Sequence, residues 1–464
     1  MALHRHVSSE DAYLSVRPEF CRAGELEPVP RFRLPDSGMD ADTAYEIVHD
    51  ELILDGNARL NLATFVTTWS DPHARQLIGE TLDKNMIDKD EYPQTAEIEL
   101  RCVSMLADLW HADHAESALG TSTIGSSEAA MLGGLALKWR WRKRRQAAGK
   151  PSDTPNLVMG VNVQVCWEKF CRYWDVEPRL VPMAPGRYHL TPDEAAAACD
   201  ENTIGVVAVL GSTQDGSYEP VADIAARLDQ LETETGLDIP IHVDGASGGF
   251  VAPFLDPDLE WDFRVPRVQS INASGHKYGL VFPGVGWAVW RSAEALPEEL
   301  IFRVNYLGGD TPTMALNFSR PGAQIVGQYY AFLRYGRQGY TEVHQAARDT
   351  AQWAAEQVAA IGPYELISDG SELPVFAFKL RDDVENFTVY DVSDHLRARG
   401  WQVPAYSFPP DLEDTHVIRV VVRHGFSRDL AEAALADLRS TTEYLQSLDR
   451  PLPRPHERKK RFHH

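Results

Sequence analysis

Short apolar runs recur through the first three quarters of the chain: Asn156–Met159, Gly205–Leu210, Ile239–Val243 and Val268–Asn272. Each is strand-sized, continuous rather than alternating, and closed by small or turn-forming residues, the pattern of a strand buried on both faces. Between two of them, Val221, Ile224, Ala225, Leu228 and Leu231 return at helical spacing. Strands alternating with amphipathic helices from about 61 to 340 imply right-handed crossovers and a mostly parallel sheet. In such a sheet, ligands sit at the carboxyl ends of the strands. After 340 the pattern predicts a helix over Tyr340–Ile361, strands at Leu373–Leu380 and His416–Val422, and a last helix capped by Ser427 and reaching Leu448. Before residue 61 only Ala41–Leu54 reads as a helix; the proline-rich, charged stretch from Glu25 to Pro35 suits no regular element. The organisation expected is an arm (1–60) that makes oligomer contacts, a large α/β domain (61–340), a small α/β domain (341–450) and a basic tail (451–464).

The length of 464 residues allows about three folding units at roughly 150 residues each, enough to bury a core without covalent staples. Lys and Arg number 45 against 68 Asp and Glu, a formal charge of −23. That sign argues against nucleic acid or an anionic membrane as partner. Protonating all 16 histidines would bring the charge to about −7, so acidification changes this surface strongly. The five cysteines (Cys21, Cys102, Cys166, Cys171, Cys199) are scattered and show no C-x-x-C pair, so neither a disulfide framework nor a zinc site is expected. The start of the sequence lacks the apolar core of a secretory signal, and Tyr278–Trp290, thirteen residues broken by Pro283, is too short to span a bilayer. A cytoplasmic protein is the expectation.

Chemistry concentrates just past the apolar runs. HVDGASGG (His242–Gly249) ends a strand in Asp244, and NASGHKYG (Asn272–Gly279) places Lys277 beside His276 at the end of another. A carboxylate backed by an apolar sheet is costly unless a cation meets it. A lysine in such a place loses proton affinity by desolvation and by a neighbouring cation, which makes its amine nucleophilic. Taken singly, the two would be a turn aspartate and a surface lysine. Together they suit pyridoxal phosphate: the amine joins the aldehyde, and the acid keeps the ring nitrogen protonated. GTSTIGSSEAAMLGG (Gly120–Gly134) supplies the anion cradle such a group needs, with Ser126 and Ser127 opening a helix. WRWRKRR (Trp139–Arg145) falls at the far end of that helix, where cations complement the dipole, and is read that way rather than as a nucleic-acid site. His111 and His114 have no further ligand pattern around them.

Together GSSEA, HVDGASGGF and SINASGHKYG resemble glutamate decarboxylases, pyridoxal-phosphate enzymes of the aspartate-aminotransferase fold (fold type I). NLATFVTTW, IDKDEYPQTAEIE, VQVCWEKFCRYWDVE, VNYLGGD and NFSRPG extend the likeness from about residue 10 to 450. The resemblance implies that Lys277 carries the cofactor, Asp244 meets its ring nitrogen, and Ser126, Ser127 and His276 hold its phosphate. It also implies that Ser319 of a neighbouring subunit joins the phosphate site, that Thr213 touches the cofactor, and that Gln164 stacks on its ring. Many other amino-acid decarboxylases have histidine at that last position. On the substrate side it implies Thr64, Phe65, Asn85 and Asp88 around the distal carboxylate, and Arg423 on the α-carboxylate.

The activity so implied is decarboxylation of L-glutamate to 4-aminobutyrate and CO2, consuming one proton per turnover. The assembly implied is a homodimer with shared active sites, with a hexamer as the larger alternative. The tail lacks the Trp-containing amphipathic helix of plant relatives, so calmodulin is not an expected partner. Its ending, Phe462-His463-His464, resembles that of acid-responsive bacterial relatives, in which such a tail blocks the cofactor at neutral pH.

Overall fold

The computed structural model describes residues 31–304 and 311–449. Residues 1–30 with Cys21, most of the VNYLGGD motif, and the tail from 450 onward, FHH included, lie outside the described residues. The chain divides into two compact units at Gly56. In the first, helix α1 (Ala41–Leu52) starts at Asp40, whose carboxylate accepts from the Thr43 backbone N–H at 3.1 Å.

The second unit is built on a seven-stranded sheet. Its strands are β1 (Leu119–Thr123), β2 (Asn156–Gly160), β3 (Glu177–Val181), β4 (Thr203–Val209), β5 (Ile241–Asp244), β6 (Val268–Ala273) and β7 (Gly286–Trp290). Their order is β1-β7-β6-β5-β4-β2-β3, and β7 alone runs against the others. The four apolar runs in the sequence are β2, β4, β5 and β6, buried along nearly their whole length because helices cover both faces. Three strands escape the sequence pattern: β1 is LGTST, β3 is a half-exposed edge, and β7 is embedded in a glycine-rich stretch.

Helices flank this sheet. They include α2 (Pro93–Leu109), α3 (Ser126–Ala147), α4 (Val165–Tyr173) and α5 (Val221–Thr235), the last burying all five residues of its predicted apolar stripe. The basic run at the end of α3 is paired: Arg144 meets Asp238 at 3.0 Å and Arg145 meets Glu201 at 3.2 Å. A two-stranded ribbon, β8 (Phe302–Val304) and β9 (Thr311–Thr313), precedes helix α6 (Ala323–Ala359). The helix expected from Tyr340 is the second part of α6, beyond a kink at Gly336. Gly336 (φ 56°) takes a conformation that glycine adopts without steric cost, and the chain resumes helix beyond it.

A second, antiparallel sheet of β10 (Tyr364–Asp369), β11 (Val375–Leu380), β12 (Ala405–Ser407) and β13 (His416–Val421) has the order β10-β11-β13-β12. Helix α7 (Arg428–Gln446) closes the described chain; Ser427 stands at its N-cap, but its side chain makes no capping hydrogen bond. Cys102, Cys166, Cys171 and Cys199 are free thiols. Among the described residues no helix is long and apolar enough to cross a membrane.

Candidate active site

Five strands pointing the same way deliver their carboxyl ends to one cavity of about 160 Å³. After β1 come Gly125, Ser126 and Ser127; after β2, Asn162, Gln164 and Cys166; after β4, Gly211 and Thr213; at β5, Asp244, Ala246 and Ser247; after β6, His276 and Lys277. Seven of the residues singled out in the sequence thus line a single space.

Asp244 is buried, and no cation pairs with it among the described residues. Its carboxylate instead accepts from Trp167 Nε1 (2.8 Å), Asn272 Nδ2 (2.9 Å) and the Ala246 backbone N–H (3.1 Å). Asn272 is held in turn by His242 Nε2 at 2.7 Å, and His242 Nδ1 by Ser270 Oγ at 2.7 Å. Burial lowers the pKa of His242. This chain of side chains fixes the acid in place at the end of its strand, with its cost of burial offset by donors.

Lys277 Nζ lies 3.4 Å from Ser247 Oγ and 5.5 Å from the Phe65 ring centroid. Burial lowers its pKa, and Arg419 adds to this, while Asp244 and Cys166 oppose it. The thiol of Cys166 is itself pushed up by burial, which keeps it a protonated, inert wall residue. His276 Nδ1 accepts from the backbone N–H groups of Val285 (3.3 Å) and Gly284 (3.4 Å). Burial and the Lys277 charge push its pKa down to about 4. The ring is thus neutral, and its proton sits on Nε2, free to donate. Ser126 Oγ accepts from Ser274 Oγ at 2.7 Å, and the first turn of the 22-residue helix α3 offers its unpaired N–H groups beside it. Gln164 caps α4, its Oε1 accepting from the Cys166 N–H at 2.7 Å, which leaves its NH2 group uncommitted.

The remaining candidates lie elsewhere. Phe65 is in contact with Lys277, but Thr64, Asn85, Asp88, Ser319 and Arg423 are absent from the cavity walls of the single chain. Asn85 and Ser319 meet each other, Nδ2 to Oγ at 3.4 Å, and the Arg320 N–H donates to Asn85 Oδ1 at 3.1 Å. Arg423 lines a separate cavity of about 510 Å³ with Trp69, His424 and Arg428. It donates to the Ala58 carbonyl and to Thr68 Oγ1, both at 3.1 Å, while Nε and Nη1 are buried without a partner. Sequence reasoning gave no role to Asn162, Trp167, Asn272 or Arg419. Trp167 and Asn272 stand within quoted motifs, but no spacing rule says that they would converge on Asp244.

Residues 35–381 match the conserved domain of pyridoxal-dependent decarboxylases. The chain belongs to that family. It is 57% identical over 418 residues to a glutamate decarboxylase of Aliivibrio fischeri, covering 90% of each chain. It is 50% identical over 449 residues to a glutamate decarboxylase of Solanum lycopersicum, covering 96% of this chain and 89% of the other. A solved glutamate decarboxylase of Lactobacillus brevis superposes with a TM-score of 0.90 at 46% identity, covering 93% of this chain and 99% of that one. The fold is therefore that of the type I pyridoxal-phosphate enzymes, and the family's cofactor is pyridoxal phosphate.

The cavity fits that group. It combines an amine of lowered proton affinity, a carboxylate fixed by three donors, and an anion cradle of two serines, a helix N-terminus and a neutral imidazole N–H. When bound, pyridoxal phosphate supplies a protonated ring that accepts the electron pair left by bond cleavage at the substrate's Cα. In that cavity Asp244 would meet the cofactor's ring nitrogen, Lys277 its aldehyde, and Ser126, Ser127 and His276 its phosphate.

Proposed function

We propose that this chain converts L-glutamate to 4-aminobutyrate and CO2, consuming a proton in each turnover. The observation that carries the reading is the meeting of Lys277, Asp244 and the Ser126–Ser127 cradle in one cavity, in a chain 57% identical to a glutamate decarboxylase. Lys277 Nζ has its proton affinity lowered, so it can give way to the substrate amine and move protons at Cα. Asp244 Oδ2 and Oδ1 hold position through Trp167 and Asn272 while charge develops beside them. Val209 and Cys166 supply apolar patches in an otherwise polar wall.

In this reading Arg423 takes the α-carboxylate, with Nε and Nη1 as its free donors. Thr64, Phe65, Asn85 and Asp88 surround the distal carboxylate; Gln164 and Thr213 contact the cofactor. The assembly is a homodimer, or a hexamer built from dimers, in which Ser319 and the Asn85–Asp88 segment complete the neighbour's site. Their pairing with each other, away from their own cavity, supports this. The enzyme works in the cytoplasm, with a cofactor-binding large domain (61–340) and a small domain (341–450). Proton consumption suits a role in acid resistance as well as in glutamate metabolism.

Measuring CO2 release from glutamate, aspartate and cysteine sulfinate tests the substrate. Preference for glutamate is expected, and equal or greater turnover of another acid would overturn the assignment. A cofactor absorption band that shifts on adding glutamate is also expected; its absence would point to a non-catalytic member of the family.

A further inference from the structure

Arg419, on β13, lies beside this site, and its guanidinium has no carboxylate partner among the described residues. One Nη donates to the Thr213 carbonyl, the other to the Ala63 carbonyl at 2.8 Å. The group sits 4.7 Å from the Phe65 ring centroid, the ring that Lys277 Nζ also contacts, and 5.6 Å from that of Tyr406. Its Nε is buried without a partner. A buried cation held by carbonyls, ring faces and the Tyr406 hydroxyl, with no carboxylate among the described residues, is costly, and burial lowers its pKa. A purely structural contact would be cheaper with an apolar side chain in this place.

The two carbonyls belong to different parts of the site. Ala63 precedes Thr64 and Phe65 in a segment laid along the second sheet, where the Leu62 N–H donates to the Gln402 carbonyl (2.9 Å) and the Val421 N–H to the Leu62 carbonyl (3.0 Å). Thr213 belongs to the turn after β4 on the cofactor cavity, and Tyr406 OH donates to the carbonyl of the next residue, Gln214. The planar fork of Arg419 is the piece that spans the two.

We propose that Arg419 is a positioning residue of the active site, which locks the Thr64–Phe65 segment to the Thr213 turn and keeps a positive charge beside Lys277. This rests on the decarboxylase reading, and it assigns a role to a residue outside the lysine, acid and phosphate cradle. The charged and titratable groups that act on Lys277 are Asp244 from β5, Cys166 from α4 and Arg419 from β13, with His276 adjacent in the chain. Arg419 works with burial and against Asp244.

The test compares Arg419→Met and Arg419→Lys in the full-length, cofactor-loaded enzyme. Arg419→Met removes both the clamp and the charge. It should raise the glutamate KM about tenfold or more and move the pH midpoint of the cofactor absorption band up by about one unit. Arg419→Lys retains the charge without the planar fork, so it should leave the midpoint near wild type while KM stays raised. Far-ultraviolet circular dichroism and Tm report the fold. Variants that lower Tm but keep the wild-type KM and midpoint would make Arg419 merely structural and overturn the proposal. If Arg419→Met does not fold, Arg419→Lys with an unchanged KM overturns it alone. Failure of the wild type to release CO2 from glutamate would instead sink the decarboxylase reading; the absorption midpoint needs no turnover and would still test the charge.

Discussion

Lys277 and Arg423 show how far single residues could be read. Lys277 stands among small residues at a strand end, and the folded chain gives it the environment that position promised: burial and Arg419 lower its proton affinity, with Asp244 opposing. Lys277→Ala is expected to abolish multiple turnover with little change in Tm, because the side chain lines a cavity and its hydrogen bond to Ser247 Oγ is long, at 3.4 Å. Activity within about tenfold of wild type would leave only about 1.4 kcal/mol for the lysine and remove it from the chemistry. Arg423 is different. Its neighbourhood in the sequence, VVVRHGF, is that of any strand-end surface cation, and only the fold buries it and leaves two donors unpaired. Burial pushes its pKa down to about 10.

At the scale of elements, the acid site is a product of β5, β6 and α3 packing together. His242 on β5 and Asn272 on β6 are two links of the chain behind Asp244, and α3 passes so close that a Cβ on Gly133 would lie 2.3 Å from His242 Cε1. Gly133→Ala should therefore destabilise the protein by about 1–3 kcal/mol and weaken cofactor retention through the displaced Asn272–Asp244 link. Equal Tm and cofactor occupancy in variant and wild type would show that the helix can move away freely. Two buried carboxylates act similarly on the NFSRP segment. Glu128, in the first turn of α3, accepts from the Leu316 N–H (2.8 Å) and the Asn317 N–H (3.2 Å). Glu99 on α2 meets Arg320 at 2.9 Å; burial pushes its carboxyl up, but Arg320 and Lys89 outweigh this and hold it below its ordinary value. Ser319 is thus presented on a segment held at both ends.

For the whole molecule, the separation of Ser319, Asn85 and Asp88 from their own cavity leads to a mixing experiment. If the site is shared as proposed, Asp88→Ala and Lys277→Ala chains, each inactive alone, should regain activity when subunits exchange, since a hybrid dimer would contain one intact site. Confirmed exchange without rescue would place each active site within one chain. A second prediction concerns acid. Glu219 accepts from the Val209 N–H (2.7 Å), the Leu190 N–H (2.9 Å) and Asn162 Nδ2 (3.0 Å), and burial pushes its carboxyl from 4.5 up to about 7. Glu372 is likewise pushed up to about 7, by burial first and by neighbouring carboxylates. A carboxyl whose folded pKa is raised binds protons on folding. Its contribution is fully present below about 4.5 and is lost as pH rises through about 7. His344 and His276, pushed down to about 3 and about 4 by burial, oppose this, their contribution falling away in acid. The Glu219 effect is therefore read as a difference: the Tm of Glu219→Gln relative to wild type should improve by a few degrees between about pH 5 and about pH 7. A difference independent of pH would show that Glu219 titrates normally.

The sequence by itself determined the parallel sheet and the acid–lysine–serine constellation, because buried strands are continuous apolar runs and their carboxyl ends carry the chemistry. The helix start read at Tyr340 lies just past Gly336, whose positive φ interrupts α6, while the turns upstream from Ala323 carried no reading. Strands β1, β3 and β7 were illegible because their residues are chosen by neighbours across the sheet, not by local periodicity. The tertiary structure alone decided that Trp167 and Asn272 hold Asp244, that Arg419 reaches both Ala63 and Thr213, and that Arg423 is buried with free donors. These contacts join residues up to 356 positions apart, where no spacing rule operates and only the packing of one sheet against another brings donor to acceptor.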